Sequence, residues 1–157
     1  MRFGCPIINV KDIAVSKNFY EKVLSQQVTL DLGENVAFGT EPVVFAIQHD
    51  YAGLVDAEHF CVGEKANDHE LYFEEEHFDA FESHLRTFDD IMYINQTKEY
   101  EWGQRVIRFY DPDFHIIEVG ESMASVFKKF RDQGMSVEEV ASRTSYPVDF
   151  VRKYIEG

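Results

Sequence analysis

Histidine, cysteine and carboxylate side chains are the groups in this sequence that could hold a metal ion or transfer protons. Cys5 and Cys61 are too few and too isolated for a disulfide framework or a zinc cluster, so we expect two reduced thiols. The histidine spacing does not indicate a metal site, and we interpret these residues as ordinary surface or boundary side chains. They are His49, His59, His69, His77, His84 and His115. The 29 acidic residues are therefore the main candidates for chemistry.

Two segments predict strands that carry different side chains on their two faces. In HELYFEEE, Leu71 and Phe73 would pack against a helix. The opposite face would then carry Glu70, Tyr72 and Glu74. In CPIINV, the side chains of Pro6, Ile8 and Val10 would pack beneath a helix, which leaves Cys5, Ile7 and Asn9 on the other face.

The elements that must position these residues occur in the same order twice. CPIINV is followed by Asp12, a turn or N-cap residue, and by a helical pattern that puts Ile13, Phe19, Tyr20, Val23 and Leu24 on one face. Three short strands follow, VTLDL, NVAFG and PVVFAIQ. HELYFEEE then precedes a helix with Phe78, Phe81, His84 and Leu85 on one face, and the strands IMYINQT, RVIRFY and HIIEVGE. The sequence therefore predicts two β-α-β-β-β modules.

Composition and charge exclude several classes of protein. The chain has 157 residues with 45% hydrophobic side chains, which excludes a fully disordered chain and a collagen. A formal charge of −14 would repel nucleic acid, so we expect no nucleic-acid partner. No run approaches the roughly 18 apolar residues of a membrane span, and the first residues lack the pattern of a secretory signal. We therefore expect a cytoplasmic protein without a membrane partner.

The last part of the chain, residues 122–157, predicts one helix followed by two shorter ones. SMASVFKKFRDQ is stopped by Gly134, and Ser136 with Glu139 forms a capping box. VEEVASRTSYPVDFVRKYI loosely resembles a helix-turn-helix unit, but residues 121–157 contain equal numbers of basic and acidic side chains and lack the positive charge that DNA binding requires. We expect a packing or dimer role for an apolar side formed by Phe127, Phe130, Val137, Val140, Phe150, Val151 and Tyr154.

Three segments resemble the vicinal oxygen chelate superfamily, which includes glyoxalase I, bleomycin-resistance proteins, fosfomycin-resistance enzymes and extradiol dioxygenases. They are CPIINVKDIAVSKNFYEKVL, ELYFEEEHFDAFESHL and WGQRVIRFYDPDFHIIEVGE. The resemblance implies an α+β fold in which two βαβββ modules, about 1–60 and 67–121, form a curled mixed sheet around a cavity. Residues 1–121 would form this domain, and 122–157 a helical C-terminal extension.

The resemblance also identifies four positions that often bind a divalent metal ion. Cys5 and Glu70 stand where the superfamily often has histidine, Ala46 stands where it often has glutamate, and Glu118 matches the closing glutamate. A thiolate and two carboxylates match no common catalytic set. We therefore expect no metal cofactor, with one divalent ion on Cys5, Glu70 and Glu118 as the alternative.

Without a metal, Glu70 and Glu118 would be two carboxylates facing one cavity. Like charges in one cavity raise the pKa of at least one of the two carboxyls, which makes both residues candidate general acids or bases. The alternative is a structural Glu118 paired with Arg105 or Arg108.

The resemblance and the strand phase also select the residues that would bind a ligand. They are Cys5, Ile7, Asn9, Gln48, Tyr72, Glu74, Trp102 and Arg108. Trp102 would lie near the cavity mouth, although a single Trp is more often a packing residue. In the turn DPDF the superfamily usually has glycine where this chain has Phe114, so we expect a different turn, because phenylalanine tolerates positive φ poorly.

Three functions follow from the resemblance. The first is a homodimeric protein that binds a small aromatic or amine-bearing molecule without metal, as bleomycin-resistance proteins do. The second is a metal-dependent lyase, isomerase or transferase of the glyoxalase type, in which Glu70 or Glu118 moves a proton. The third is a regulatory protein that senses a ligand and uses its helical tail. The missing metal ligands favour the first, and the sequence does not establish that the protein is an enzyme.

Overall fold

The computed structural model describes residues 4–40, 43–49, 65 and 67–156, which form two compact units of α+β structure. The first unit comprises Met1–His69 with Asp111–His115, and the second comprises Glu70–Tyr110 with Ile116–Gly157. Each contains an open, mixed, four-stranded sheet. Cys61 and His59, for which the sequence predicts a reduced thiol and a surface histidine, lie outside the described residues.

The first unit has the predicted β-α-β-β-β order. Its elements are β1 (Ile7–Asn9), α1 (Ile13–Lys22), β2 (Val28–Asp31), β3 (Asn35–Thr40) and β4 (Val43–Gln48). The strand order is β1-β4-β3-β2, with β1 parallel to β4 and the remaining pairs antiparallel.

The core of the first unit lies between α1 and one face of its sheet. Asp12 begins the helix as predicted, because its Oδ1 accepts a hydrogen bond of 3.0 Å from the Val15 backbone N–H. The fully buried ring of Tyr20 lies 5.4 Å from the ring of Phe38 and 5.0 Å from that of Phe45. Ile8 and Val10 are buried as predicted, whereas Pro6 is exposed.

The turn at residues 111–114 corrects the expectation for Phe114. Phe114 does adopt a positive φ of 68°, so its side chain does not prevent the left-handed conformation. The buried Asp111 stabilises this turn, because its Oδ1 accepts from the backbone N–H groups of Asp113 at 2.9 Å and His115 at 2.8 Å. The ammonium group of Lys65 lies 4.8 Å from the centre of the Phe114 ring. These contacts offset the strain that a positive φ costs a bulky residue.

The second unit repeats the order and adds three helices. Its first elements are β5 (Glu70–Glu75), α2 (Phe78–Leu85), β6 (Tyr93–Glu99), β7 (Arg105–Tyr110) and β8 (Ile116–Glu121). The strand order is β5-β8-β7-β6, with β5 parallel to β8 and the other pairs antiparallel. The repeated order confirms the prediction of two similar modules.

The two faces of this second sheet carry different side chains. One face contacts α2: the guanidinium of Arg105 lies 4.9 Å from the centre of the Phe78 ring, and Phe78 and Leu85 are buried. His84, which we expected on the same side of α2, is exposed. Strand alternation puts Glu70, Tyr72, Glu74, Arg108 and Glu118 on the opposite face, which we call the open face.

Three helices close the chain: α3 (Met123–Asp132), α4 (Val137–Thr144) and α5 (Val148–Glu156). Ser136 caps α4 in the predicted capping box with Glu139. For this apolar side we expected a packing or dimer role, and five of its residues are buried in one cluster of the second unit: Phe127, Phe130, Val137, Val140 and Val151. Only Phe150 and Tyr154 keep large exposed fractions, 40% and 51%. Among the described residues, none of the helices is both long and apolar enough to span a membrane.

Candidate functional site

The open face has one arginine between two carboxylates. Arg108 and Glu118 are direct partners in the antiparallel pairing of β7 and β8, and their side chains form an ion pair. Arg108 Nε also donates to Glu70 Oε2 at 3.2 Å. Glu118 is only 8% exposed, so this ion pair is largely shielded from water. The single positive charge of Arg108 therefore balances only one of the two neighbouring carboxylates, Glu70 and Glu118.

The pKa of Glu118 is raised above its ordinary value of 4.5. Burial of the carboxyl is the largest cause, and the charge of Glu70 and a hydrogen bond with that residue add to it. The charge of Arg108 acts in the opposite direction but does not cancel the rise. The carboxyl of Glu118 is therefore suited to hold a proton that it could share with Glu70.

Aromatic rings border this charged cluster. The rings of Tyr100 and Trp102 stack with centroids 4.6 Å apart and planes 15° from parallel. Tyr100 Oη accepts a hydrogen bond of 2.8 Å from Arg108 Nη1, which joins the aromatic pair to the cluster. Trp102 is 38% exposed and Tyr72 is 47% exposed, so both keep surface that a ligand could cover.

Gln104 connects two of these aromatic residues. Its Oε1 accepts from Trp102 Nε1 at 3.0 Å, and its Nε2 donates to Tyr72 Oη at 3.0 Å. Tyr72 Oη in turn donates to Glu74 Oε1 at 3.1 Å. Burial, with the charges of Glu74 and Glu118, raises the pKa of Tyr72 to about 12, so its phenol remains a hydrogen-bond donor at neutral pH.

The two arginines that were alternative partners of Glu118 are separated by the pleat of β7. Arg108 shares the face of Glu118, whereas Arg105 lies on the α2 face. Arg105 Nη2 donates to Glu121 Oε1 at 3.0 Å, and the same guanidinium pairs with Asp79. Glu118 is therefore paired with Arg108 and not with Arg105.

Four predicted ligand-binding residues belong to the first unit. Cys5 is half-buried just before β1, and Ile7 on β1 is 54% exposed. Asn9 Oδ1 is buried and accepts no hydrogen bond from any residue that the structure describes. Gln48 Oε1 accepts from Asn35 Nδ2 at 3.0 Å. That these residues and those of the open face line one cavity stays a prediction.

A separate polar cluster in the first unit involves His115. Asp111 Oδ2 accepts from Tyr20 Oη at 2.8 Å and lies 2.8 Å from His115 Nδ1. Burial lowers the pKa of His115, but the hydrogen bond and charge of Asp111, with Asp113 and the Asn9 backbone, outweigh burial and raise it. Asp111 also holds the turn, so we interpret this cluster as structural.

Comparison with known proteins identifies the family. The family model described as a glyoxalase-like domain matches residues 3–124, most of the chain. The chain belongs to the glyoxalase-like family. No curated protein matches at a significant level.

Several solved structures share the fold. A protein of unknown function from Agrobacterium tumefaciens str. C58 is 37% identical, with a TM-score of 0.67 and coverage of 78% of this chain and 94% of that chain. Lactoylglutathione lyase from Agrobacterium tumefaciens is 18% identical, with a TM-score of 0.60 and coverage of 78% and 94%. The fosfomycin resistance protein FosX from Mesorhizobium loti is 17% identical, with a TM-score of 0.55 and coverage of 77% and 92%. These last two likenesses establish the fold alone.

Members of this superfamily often use a divalent metal ion, and two of the four matching positions, Ala46 and Glu118, do not favour one in this chain. Ala46, at the second of the four positions, has no side-chain donor atom. Glu118 is paired with Arg108, whose positive charge would repel a divalent cation. Within the described parts of the chain, no group of three or more His, Cys, Asp or Glu side chains is arranged to hold a metal ion.

Sequence reasoning missed two residues of the open face. Tyr100 and Gln104 lie in the loop between β6 and β7, where strand alternation does not predict side-chain direction. The only signal for Tyr100 was its position two residues before Trp102, and for Gln104 its place in the WGQR segment.

Proposed function

We propose that this glyoxalase-like protein binds a small molecule with an aromatic ring and an amine, without a metal ion. The observation that carries the proposal is the open face itself, where an excess of carboxylates borders exposed aromatic rings. Superfamily members commonly bind small molecules, which supports a binding function in general terms.

The charge of the open face favours a cationic ligand. Three carboxylates, Glu70, Glu74 and Glu118, lie near two cations. Arg108 pairs with two of the carboxylates, and Lys98 Nζ lies 5.0 Å from the centre of the Tyr100 ring, so one negative charge remains in excess. An ammonium group could hydrogen-bond to the carboxylates of Glu70 and Glu118 and reduce their mutual repulsion. An anionic ligand would instead have to displace a carboxylate from Arg108.

The aromatic residues favour a flat ring next to that amine. Trp102 is already stacked on Tyr100, so its rotation is restricted before a ligand arrives. Tyr72 is held by hydrogen bonds to Gln104 and Glu74. Preorganised rings lose little conformational entropy on binding, which favours an aromatic ligand over an aliphatic one.

A metal-free proton-transfer enzyme is the second candidate. The raised pKa of Glu118 and its hydrogen bond with Glu70 favour it, because a carboxyl whose pKa is raised by burial and by a neighbouring carboxylate is suited to proton transfer. The metal-dependent lyase, isomerase or transferase is less favoured, because Ala46 has no side-chain donor and the Glu118 carboxylate is paired with Arg108.

We also propose a homodimer, since superfamily members commonly form dimers. Phe150 and Tyr154 on α5 are exposed aromatic residues that a second subunit could cover. Light scattering at micromolar concentration tests this assembly, and a monomer whose mass is unchanged by Phe150→Lys would contradict it.

Two probes with opposite charge test the proposed ligand class. 2-Phenylethylamine and 3-phenylpropionate share a ring and differ in charge, and Trp102, the only tryptophan, reports binding through its emission. We expect the amine to bind more tightly. Glu118→Gln should weaken amine binding by about 1 to 3 kcal/mol, because a charge without its partner in a shielded site is costly.

Glu75→Gln is the matched control, since Glu75 lies on β5 with its side chain on the face opposite Glu70 and Glu74. It should leave the affinity unchanged. Equal affinity for both probes, or an amine affinity that Glu118→Gln does not alter, would reject the proposal.

A further inference from the structure

The loop between β6 and β7 carries the stacked aromatic pair of the open face. Its backbone is closed by two hydrogen bonds, from Tyr100 N to Gln104 O at 2.9 Å and from Gly103 N to Tyr100 O at 2.8 Å. Gly103 has a φ of 85°, which glycine adopts without strain. Trp102 lies within this short loop, so the direction of its side chain depends on the contacts that the loop makes with the rest of the second unit.

Helix α3 of the C-terminal extension holds the loop with two neighbouring side chains. Lys129 Nζ donates to Gly103 O at 2.7 Å and lies 3.7 Å from Glu99 Oε1 and 3.8 Å from Glu121 Oε2. The ring of the buried Phe130 packs so closely on Gly103 that a Cβ at residue 103 would lie 2.2 Å from Phe130 Cζ. The loop thus has a polar and an apolar anchor on the same helix.

Gln104 connects the loop to Tyr72 on the open face. The residue is buried, and its Nε2 donates to Glu121 O at 2.9 Å as well as to Tyr72 Oη. Gly120 provides the space for this contact, because a Cβ there would lie 2.7 Å from Gln104 Nε2 and 3.1 Å from Tyr72 Cε2. A displacement of the loop would therefore move both Trp102 and Tyr72.

We propose that α3 is part of the ligand-binding apparatus, with Lys129 and Phe130 as positioning residues that fix Trp102 and Tyr72 for an aromatic ligand. The effect of α3 on ligand affinity rests on the proposed function, whereas the positioning of Trp102 by α3 is independent of it. Because coupling between two sites is reciprocal, a ligand that stacks on Trp102 must also stabilise the contact of the loop with α3. The C-terminal helices then respond to occupation of the open face.

Lys129→Met tests the positioning, because it removes the ammonium group and keeps an apolar side chain of similar length. Lys128→Met is the matched control: the neighbouring Lys128 is exposed and its Nζ pairs with Asp132. Lys129→Arg keeps a cationic donor. The first measurement is acrylamide quenching of Trp102 emission without ligand, with the thermal midpoint recorded for each variant.

We expect Lys129→Met to raise the quenching constant of Trp102 about twofold, Lys129→Arg to restore most of the wild-type value, and Lys128→Met to leave it unchanged. Equal quenching in Lys129→Met and Lys128→Met would overturn the positioning role. Quenching that follows the thermal midpoint across all variants would also overturn it, since global loosening would then explain the change.

The second measurement is the affinity of 2-phenylethylamine. We expect Lys129→Met to weaken it at least threefold and Lys128→Met to leave it unchanged. If quenching changes but affinity does not, the role of α3 in binding is wrong. If the wild-type protein binds no probe, the proposed ligand class fails, and the quenching series still decides whether α3 positions Trp102.

Discussion

Arg108 and Glu118 lie opposite each other on neighbouring antiparallel strands and form a largely buried ion pair, which Glu70 joins from β5 through the same guanidinium. The single positive charge of Arg108 can neutralise only one of these two carboxylates. The energetic consequence is the raised pKa of Glu118. Both a cationic ligand and a proton would relieve the same excess of negative charge, so they compete for it.

This competition predicts pH-dependent binding of 2-phenylethylamine. The folded protein loses the Glu118 proton only above the ordinary carboxyl pKa of 4.5, and the ammonium group binds best to the deprotonated form. We therefore expect affinity to increase as pH rises through the raised pKa of Glu118. Below that pKa, we expect ligand binding to release a proton. Calorimetry in two buffers with different ionisation enthalpies measures the released protons. Binding without proton release at any pH would contradict the competition.

Glu118→Gln should also change how stability depends on pH. Because the folded-state pKa lies above 4.5, the folded protein binds more protons than the unfolded chain in that window, and stability falls as pH rises from 4.5 to the raised pKa. The glutamine variant cannot titrate there, so we expect it to gain stability relative to the wild type across this window. Urea unfolding at several pH values measures the difference. A constant difference between the two proteins would show that Glu118 does not titrate abnormally.

Tyr100 offers a test of the aromatic part of the site. Tyr100→Leu removes the ring that stacks on Trp102, whereas Tyr100→Phe keeps the ring and removes only the hydroxyl that accepts from Arg108. Without its stacking partner, Trp102 must be ordered when the ligand binds, which costs about 0.5 to 1.5 kcal/mol for one side chain, so we expect Tyr100→Leu to weaken 2-phenylethylamine binding about two- to tenfold. Tyr100→Phe should bind within about twofold of the wild type. An equal loss in both variants would assign the effect to the hydroxyl instead.

The sequence predicted the elements well because hydrophobic periodicity reports which face of a helix or strand is buried. It also predicted the shared face of Glu70, Tyr72 and Glu74, since side chains alternate along a strand. The same alternation along RVIRFY puts Arg105 and Arg108 on opposite faces of the strand. In the structure, Arg108 is the one that pairs with Glu118.

Other features depend on contacts between residues far apart in the sequence. Gln104 and Lys129 acquire their partners only when the β6–β7 loop meets α3, and no local pattern encodes that contact. The expectation for Phe114 was wrong for a related reason. Propensity disfavours its positive φ, but the hydrogen bonds of the buried Asp111 stabilise the turn more than the strain destabilises it.

His115 should make the first unit less stable as pH rises. Its folded-state pKa lies above the ordinary 6.5, so the stabilising contact with Asp111 is complete below pH 6.5 and is lost as pH rises through the folded-state pKa. His115→Gln should therefore cost about 1 to 3 kcal/mol at pH 5.5 and less at pH 8.5. The exposed His77 provides the control, since His77→Gln should cost little at either pH. A cost for His115→Gln that is independent of pH would contradict the assignment.

Gly103→Ala and Gly134→Ala separate backbone strain from a steric clash with α3. Both glycines have positive φ, 85° and 92°, so alanine should cost about 1 to 2 kcal/mol at either position. A Cβ at residue 134 would meet no atom within 4 Å, whereas at residue 103 it would lie 2.2 Å from Phe130 Cζ. Overpacking of this kind costs about a further 1 to 3 kcal/mol, so Gly103→Ala should be the more destabilising substitution. Urea unfolding measures both free energies, and the emission of Trp102 should change in Gly103→Ala alone. Equal costs with unchanged emission would mean that Phe130 moves aside freely and does not anchor the loop.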